Sequence, residues 1–327
     1  MRRDVTKRGL MWVVLAVALV APAAVLAQKY PAKTIRLVLP FTAGSAIDVL
    51  ARLYAQKMVD NWGQQVLVDN RTGANGIIGM EAIAKSLSDG YTLGMGNLAT
   101  LAINPNLYAK LPYDVQRDYI PISLTATIRN CLVVHPSLPV RSVKELIAFA
   151  KARPGQLNYA SGGIGSAQHI PMEMLKAMTG INVVHVTYKG LTPAFNDVVA
   201  GQVPMIIAGL VSALPYHQTG RLRILATTGA TRTAATPDIP IIAEAGVPGY
   251  EYDSWTGFLA PAGTSPVTIS QINAEAVRIG KLPDIRERLT NLGFDIVGSS
   301  PEEFAALIKD NNSRIGKVIR DAGIKSE

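Results

Sequence analysis

Apolar β-branched runs alternate with amphipathic stretches along most of the chain. The run TIRLVLP at 34–40 predicts a strand, and DVLARLYAQKMVDNWG at 48–63 carries its apolar residues at helical spacing. QQVLVDN, IIGMEAIAKSLSDG and YTLGMGN continue as strand, helix and strand. From Asn130 a second series begins with CLVVHPS and SVKELIAFAKARPG. It runs on through LNYAS, MEMLKAMTG, VVHVTYKG, PAFNDVVAGQ, VPMIIAG and RLRILATTG, with Gly155, Gly180 and Gly201 as helix stops. A Pro-rich connection, 236–255, leads to GFLAPAG and two further helices. Strand–helix alternation predicts an α/β protein with mostly parallel sheet, in two lobes. The lobes are expected at 28–129 and 130–250, with 251–327 returning to complete the first. Parallel strands present ligands outside their carboxyl ends, so the loops that follow strands are the ones to examine.

The N-terminus bears on where the protein works. MRRDVTKRG is a basic segment, LMWVVLAVALVAPAAVLA is apolar but broken by Pro22, and Val25-Leu26-Ala27 supplies small residues at a cleavage position. This is the pattern of a secretory signal peptide, with the mature chain starting near Gln28. The 327-residue chain carries 32 Lys and Arg against 24 Asp and Glu; without residues 1–27 it keeps 28 and 23, a net charge of +5. The basic residues are scattered, with no basic stripe interleaved with aromatics, which suits anionic small molecules better than nucleic acid. Cys131, the single cysteine, excludes an internal disulfide and reads as a buried small hydrophobe within NCLVVHP.

Two loops share one grammar. PFTAGSAID follows IRLVL, and SGGIGSAQH follows LNYA; both are glycine and small hydroxyl residues leading into a helix. Glycine lets backbone N–H groups approach a ligand, serine caps the helix, and the helix N-terminus adds unpaired N–H groups with partial positive charge. Such a loop is an anion seat, although a tight strand-to-helix turn uses the same residues for backbone reasons alone. Two matching loops, one in each series, favour a small ligand carrying carboxylates held between two lobes. Asp48, in the first helical turn after the first loop, is placed to order it by accepting backbone N–H bonds.

Catalysis has little support. No G-x-x-x-x-G-K-[ST] is present, GGIGSA and GANGIIG lack dinucleotide spacing, and no serine sits in G-x-S-x-G. The histidines at 135, 169, 185 and 217 show no metal-ligand spacing. His169 reads either as an orienter of the second loop or as a surface residue, and His185 as a strand residue. An exported hydrolase using Ser161 or Ser166 with His169 would need an orienting acid and an oxyanion pocket.

The motifs PFTAGSAIDVLAR, NRTGANGIIG, DGYTLGMGN, YDVQRDYIPI, NYASGGIGSAQH, HVTYKGLTPAFNDVVAGQV, LRILATTGATR and PDIPIIAEAGVPGYEYDSWTGFLAPAGT closely resemble those of the tripartite tricarboxylate transporter substrate-binding proteins, the Bug family, in order along the whole mature chain. The resemblance implies a periplasmic binding protein fold, two α/β lobes with the ligand in the cleft between them. It implies a monomeric receptor, not an enzyme, without cofactor or metal, whose partners are a small carboxylate and the membrane subunits of a tripartite tricarboxylate-type transporter rather than nucleic acid. A regulatory effector domain or a receptor reporting to a sensor shares such a fold. The family's P-F-x-x-G-G-x-x-D maps onto Pro40, Phe41, Gly44, Ser45 and Asp48, and its Y-x-S-x-G-x-G-S-x-x-H onto Tyr159, Ser161, Gly163, Gly165, Ser166 and His169.

The expected contacts are therefore Phe41, Thr42, Ala43, Gly44, Ser45 and Asp48 on one side, and Ser161, Gly162, Gly163, Gly165, Ser166, Ala167 and His169 on the other. Asn97, Thr100, Tyr188 and Lys189 are expected in the walls. Three departures from the family pattern bear on the ligand: Ser45 for glycine, Thr187 for proline, and Ala208, at the expected cleft floor, for an acid. The lost acid leans away from an amino-acid ligand toward a plain di- or aromatic carboxylic acid. Pro171 is expected to distort the first turns of the helix after the second loop.

Overall fold

The computed structural model describes residues 30–233 and 236–325. The chain divides into two compact units, 1–32 and 33–327; only 30–32 of the first are among the described residues, and everything below concerns the second. The expected signal peptide and its cleavage near Ala27 lie outside the described residues.

The first sheet opens with β1 (Ile35–Leu39), α1 (Ala46–Trp62), β2 (Val66–Asn70), α2 (Ile77–Ala84) and β3 (Thr92–Asn97). A π-helical turn, Ala99–Ile103, runs into α3 (Asn104–Leu107) and then the long β4 (Tyr119–Ile128). After Arg129 come β5 (Asn130–Val134), α4 (Val143–Lys151), β6 (Asn158–Ser161), α5 (His169–Thr179), β7 (Val184–Thr187), α6 (Leu191–Val199), β8 (Met205–Gly209), α7 (Leu210–Gln218) and β9 (Arg223–Thr227). The tail supplies β10 (Ser254–Pro261), α8 (Pro266–Gly280), α9 (Pro283–Asn291), β11 (Phe294–Ile296) and α10 (Pro301–Asp321). The strand orders are β11-β4-β10-β3-β1-β2 and β7-β6-β8-β5-β9.

The sheets are mixed rather than mostly parallel. β1 pairs parallel with β2 and β3, and β6 with β7 and β8; β10 lies antiparallel to β3 and β4, β11 to β4, and β5 to β8 and β9. Of the antiparallel strands, β5 and β10 stand where the chain passes between sheets, at β4–β5 and on the way from β9 to β10. Each crossing strand enters its new sheet without the helix that a parallel connection requires. The two crossings touch: Thr228 N–H donates to the Asn130 carbonyl at 3.0 Å, and Tyr252 N–H to that of Thr228 at 2.8 Å. Beside them Arg129 binds Asp253 (2.6 Å) and Asp295 (2.7 Å).

One apolar core draws on both sheets, including Val38, Leu101, Leu132, Tyr159 and Ile207 with Phe304, Ile308, Ile315 and Ile319 of α10. Buried Cys131 packs in a second cluster with Val133, Phe195 and Ala208, and burial pushes its thiol pKa up. Pro171 does not distort α5. It stands third in the helix, where its missing N–H would have no intrahelical acceptor, and its carbonyl accepts from Tyr250 Oη at 2.9 Å.

Candidate functional site

The first loop is shaped by its own side chains. Ser45 caps α1, its Oγ accepting from Asp48 N–H at 3.2 Å. Asp48, 2% exposed, turns back under the loop. It accepts from Gly44 N–H (2.9 Å), Arg52 Nε (2.9 Å) and Asn70 Nδ2 (2.8 Å). Burial alone would raise its pKa, but these donors outweigh burial and hold the carboxyl below its usual range. Asp48 therefore orders the loop and does not face the cleft. Ala46 and Ile47, at the first two helical positions, keep N–H groups with no intrahelical acceptor.

The second loop rests on a buried polar stack. Ser161 Oγ is 2.5 Å from His185 Nε2 and accepts from Gly163 N–H at 3.1 Å. Gly165 N–H donates to His169 Nδ1 at 3.1 Å, so that nitrogen carries the lone pair. The rings of His169 and His185 stack at 4.2 Å between centroids, with Tyr159 beyond at 4.9 Å from His185. Tyr159 Oη donates to Glu173 at 2.5 Å, and Lys176 pairs with the same carboxylate at 2.7 Å. Burial, reinforced by the His185 neighbour, pushes the His169 pKa down to about 4, and burial also lowers that of His185. Both rings are neutral props at neutral pH. His169 is the orienter of the two readings left open by the sequence.

A third loop completes the wall. Gly73, Ala74, Asn75 and Gly76 have φ of +120°, +46°, +53° and +87°, four consecutive left-handed residues of which two carry side chains. That arrangement is strained and persists only where its surroundings enforce it. Asn75 Nδ2 donates to Tyr108 Oη at 2.7 Å, and its carbonyl accepts from Asn104 Nδ2 at 3.0 Å. A methyl group at Gly76 would lie 2.7 Å from Thr100 Cγ2, so the close approach requires glycine.

The three loops enclose a cleft of about 560 Å³. Of the sequence-predicted residues, Phe41, Thr42, Ser45, Asn97, Thr100, Gly162, Gly163, Gly165 and Ser166 line it. Thr100 and Asn97 clasp each other, backbone N–H to side-chain oxygen, at 3.0 Å in both directions. Tyr188 and Lys189 line an adjoining space of about 490 Å³ that shares Asn75, Gly163 and Ile164 with the first. Ala43, Gly44 and Ala167 belong to the loops without lining either space, while Asp48, Ser161 and His169 stand behind the surface. Ala208 is not at the cleft floor: it is fully buried in β8, inside the second core cluster. Sequence reasoning missed Thr72, Asn75, Asn104 and Ile128. The signal for Asn75 is present in GANG, a glycine-flanked asparagine in a loop that follows a strand.

No side chain lining the 560 Å³ cleft is ionisable. Its polarity comes from hydroxyls, asparagine amides and the backbone of the glycine-rich loops. Ser161 pairs with His185 rather than His169 and is wholly buried, so no substrate carbonyl reaches its oxygen. Among the described residues no group of three or more His, Cys, Asp or Glu side chains is placed to hold a metal, and no helix is long and apolar enough to cross a membrane.

The family model described as "Tripartite tricarboxylate transporter family receptor" matches residues 50–324. The chain belongs to that family. It is a solute-binding receptor of the periplasmic binding protein fold and not an enzyme. Protein BugT of Bordetella pertussis is 35% identical over 304 residues, covering 93% of both chains. Among solved structures, R. palustris Rpa4515 with adipate is 36% identical, with a TM-score of 0.79 over 90% of this chain and 99% of that one. MatC of Rhodopseudomonas palustris with bound malate is 29% identical, with a TM-score of 0.75 over 89% of this chain and 100% of its own.

Proposed function

We propose that this receptor captures a small carboxylate, a di- or aromatic carboxylic acid, in the 560 Å³ cleft and delivers it in the periplasm to a tripartite tricarboxylate-type membrane transporter. The observation that carries the ligand class is a cleft with no charged side chain whose two loops each lead into a helix N-terminus. An anion there meets the backbone of both loops and the positive end of α1 without a counter-ion. The adipate and malate held by two relatives support the same reading. Residues 28–129 with 251–327 then act as one lobe and 130–250 as the other, and a ligand touching both shifts the population toward closure.

A thermal-shift screen of mono-, di- and aromatic carboxylates on refolded, ligand-free protein tests this. A true ligand at a hundred times its Kd adds about 2.7 kcal/mol to stability, and small-angle scattering with that ligand should show compaction. Stabilisation only by neutral or cationic solutes would overturn the assignment, as would turnover of the ligand during incubation.

A further inference from the structure

Past Gly163 and Ile164 the cleft opens into the second space, walled by Leu107, Tyr108, Thr187, Tyr188 and Lys189. Its chemistry differs from that of the first. Lys189 is the one ionisable cation on the walls of either space; it is exposed and forms no ion pair among the described residues. The neighbouring Tyr188 is already engaged, its Oη donating to Asp197 at 2.7 Å. Burial and that acidic neighbour push the Tyr188 pKa up to about 12, so the phenol stays neutral and its proton points away from the space. Tyr108 Oη is held by Asn75 Nδ2. These two fixed rings, with Leu107 and Ile164, form apolar sides, and Thr187 and Lys189 supply polar groups at the rim. An uncompensated ammonium beyond an apolar passage suits an anion at the far end of a chain.

We propose that this second compartment receives the distal anionic group of an elongated ligand whose first carboxylate sits between the two glycine loops, and that Lys189 selects for it. The inference rests on the receptor reading above and adds to it a ligand length and a specificity-determining side chain. Each space alone falls within the roughly 300–1,000 Å³ usual for small-molecule sites, so a ligand using both is longer than one the first space accommodates. Asn75, Gly163 and Ile164 form the shared threshold, and at Gly163 a φ of +131° favours glycine, so that residue adds backbone and no side chain to the passage.

The test is calorimetric titration of ligand-free wild type and Lys189→Gln with matched pairs: succinate and butyrate, adipate and hexanoate, suberate and octanoate. The expected result is that adipate and suberate outbind hexanoate and octanoate, while succinate gains little over butyrate. Lys189→Gln should weaken the two long diacids by about fivefold, the size of an exposed ion pair, and leave the monoacids unchanged. Because Lys189 is exposed, an unaltered melting curve of the unliganded variant is expected and excludes a folding defect. Should succinate bind as tightly as the longer diacids, or the substitution leave every affinity alone, the proposal falls and the receptor reading stands. Equal weakening of mono- and diacids would also overturn it. Failure of every carboxylate to bind removes both.

Discussion

At the residue scale, Gly165 and His169 form one device. The glycine has φ of +72°, and a methyl group there would lie 2.4 Å from Leu107 Cδ2; Gly44 has φ of +79° with open space around it. Gly44→Ala should therefore cost only the left-handed backbone penalty, about 1–2 kcal/mol. Gly165→Ala should cost more and also weaken ligand binding, as read by urea melts and titration of both variants. The imidazole that supports Gly165 is sensitive to acid. Its folded pKa of about 4 lies below the model-peptide value of 6.5, so between these the unfolded chain takes up a proton that the folded chain refuses. The stability it contributes is complete above about pH 6.5 and is lost as pH falls toward 4, up to about 3 kcal/mol. His185 shifts in the same direction. His169→Gln should flatten the wild-type decline in urea midpoint between pH 7 and pH 4.5; an unchanged slope would place the sensitivity elsewhere.

At the element scale, the instructive strand is β4. Its sequence YIPISLTATI escapes pattern reading because Pro121 interrupts it and because Ser123 and Thr125 are buried on what would otherwise be an apolar register. The structure satisfies it from outside the ladder. β11 reaches only Ala126–Ile128, so the flank beside Pro121 is open. There Leu124 N–H donates to Ser299 Oγ at 3.0 Å, and Asn273 Nδ2 donates to the Ile122 carbonyl at 2.8 Å. The tail likewise yields three helices where the pattern predicts two. The last, α10, begins with Ser300 and Glu303 each accepting from the other's backbone N–H, at 3.1 and 2.9 Å, and lays Phe304, Ile308, Ile315 and Ile319 into the shared core. Ser300→Ala should lower global stability by about 1 kcal/mol without altering ligand affinity, since the cap lies outside the cleft; denaturant unfolding and titration of the same variant test both halves.

At the scale of the whole molecule, the crossings between the sheets meet at a charge cluster. Arg129 stands between β4 and β5, Asp253 before β10 and Asp295 in β11, and Asp253 Oδ1 has no hydrogen-bond partner. Burial pushes the Asp253 pKa up to about 6 despite the attraction of Arg129. With the folded pKa above the ordinary carboxylate value of 3.8, the penalty for ionising Asp253 is present above about pH 6 and is relieved as pH falls toward 4. Arg129→Met removes the compensating charge and leaves the carboxylates facing each other. It should cost about 3 kcal/mol at pH 8 and recover part of that loss at pH 5, where Asp253 takes up a proton. A loss independent of pH would mean that packing of the arginine stem, and not its charge, holds the crossing.

The sequence by itself determined the alternation of strands and helices, the two glycine–serine loops and the motifs that carry the family, because each depends on local periodicity, backbone freedom or a short ordered string of residues. Asp48 was legible as the orderer of its loop for the same reason: an acid in a first helical turn reaches only a few N–H groups. Tertiary structure alone decided which strands run antiparallel, since that depends on where the chain crosses between sheets. It also moved Ala208 into the core, because a residue's face in a central strand depends on register with both neighbours. The partner of Ser161 could not be read either: His185 lies on β7, and only the parallel pairing of Tyr159 with His185 and of Ser161 with Thr187 brings that ring beneath the loop. Asn75 entered the cleft wall in the same way, through a left-handed turn held by Tyr108 and Asn104, side chains distant in sequence that only packing makes neighbours.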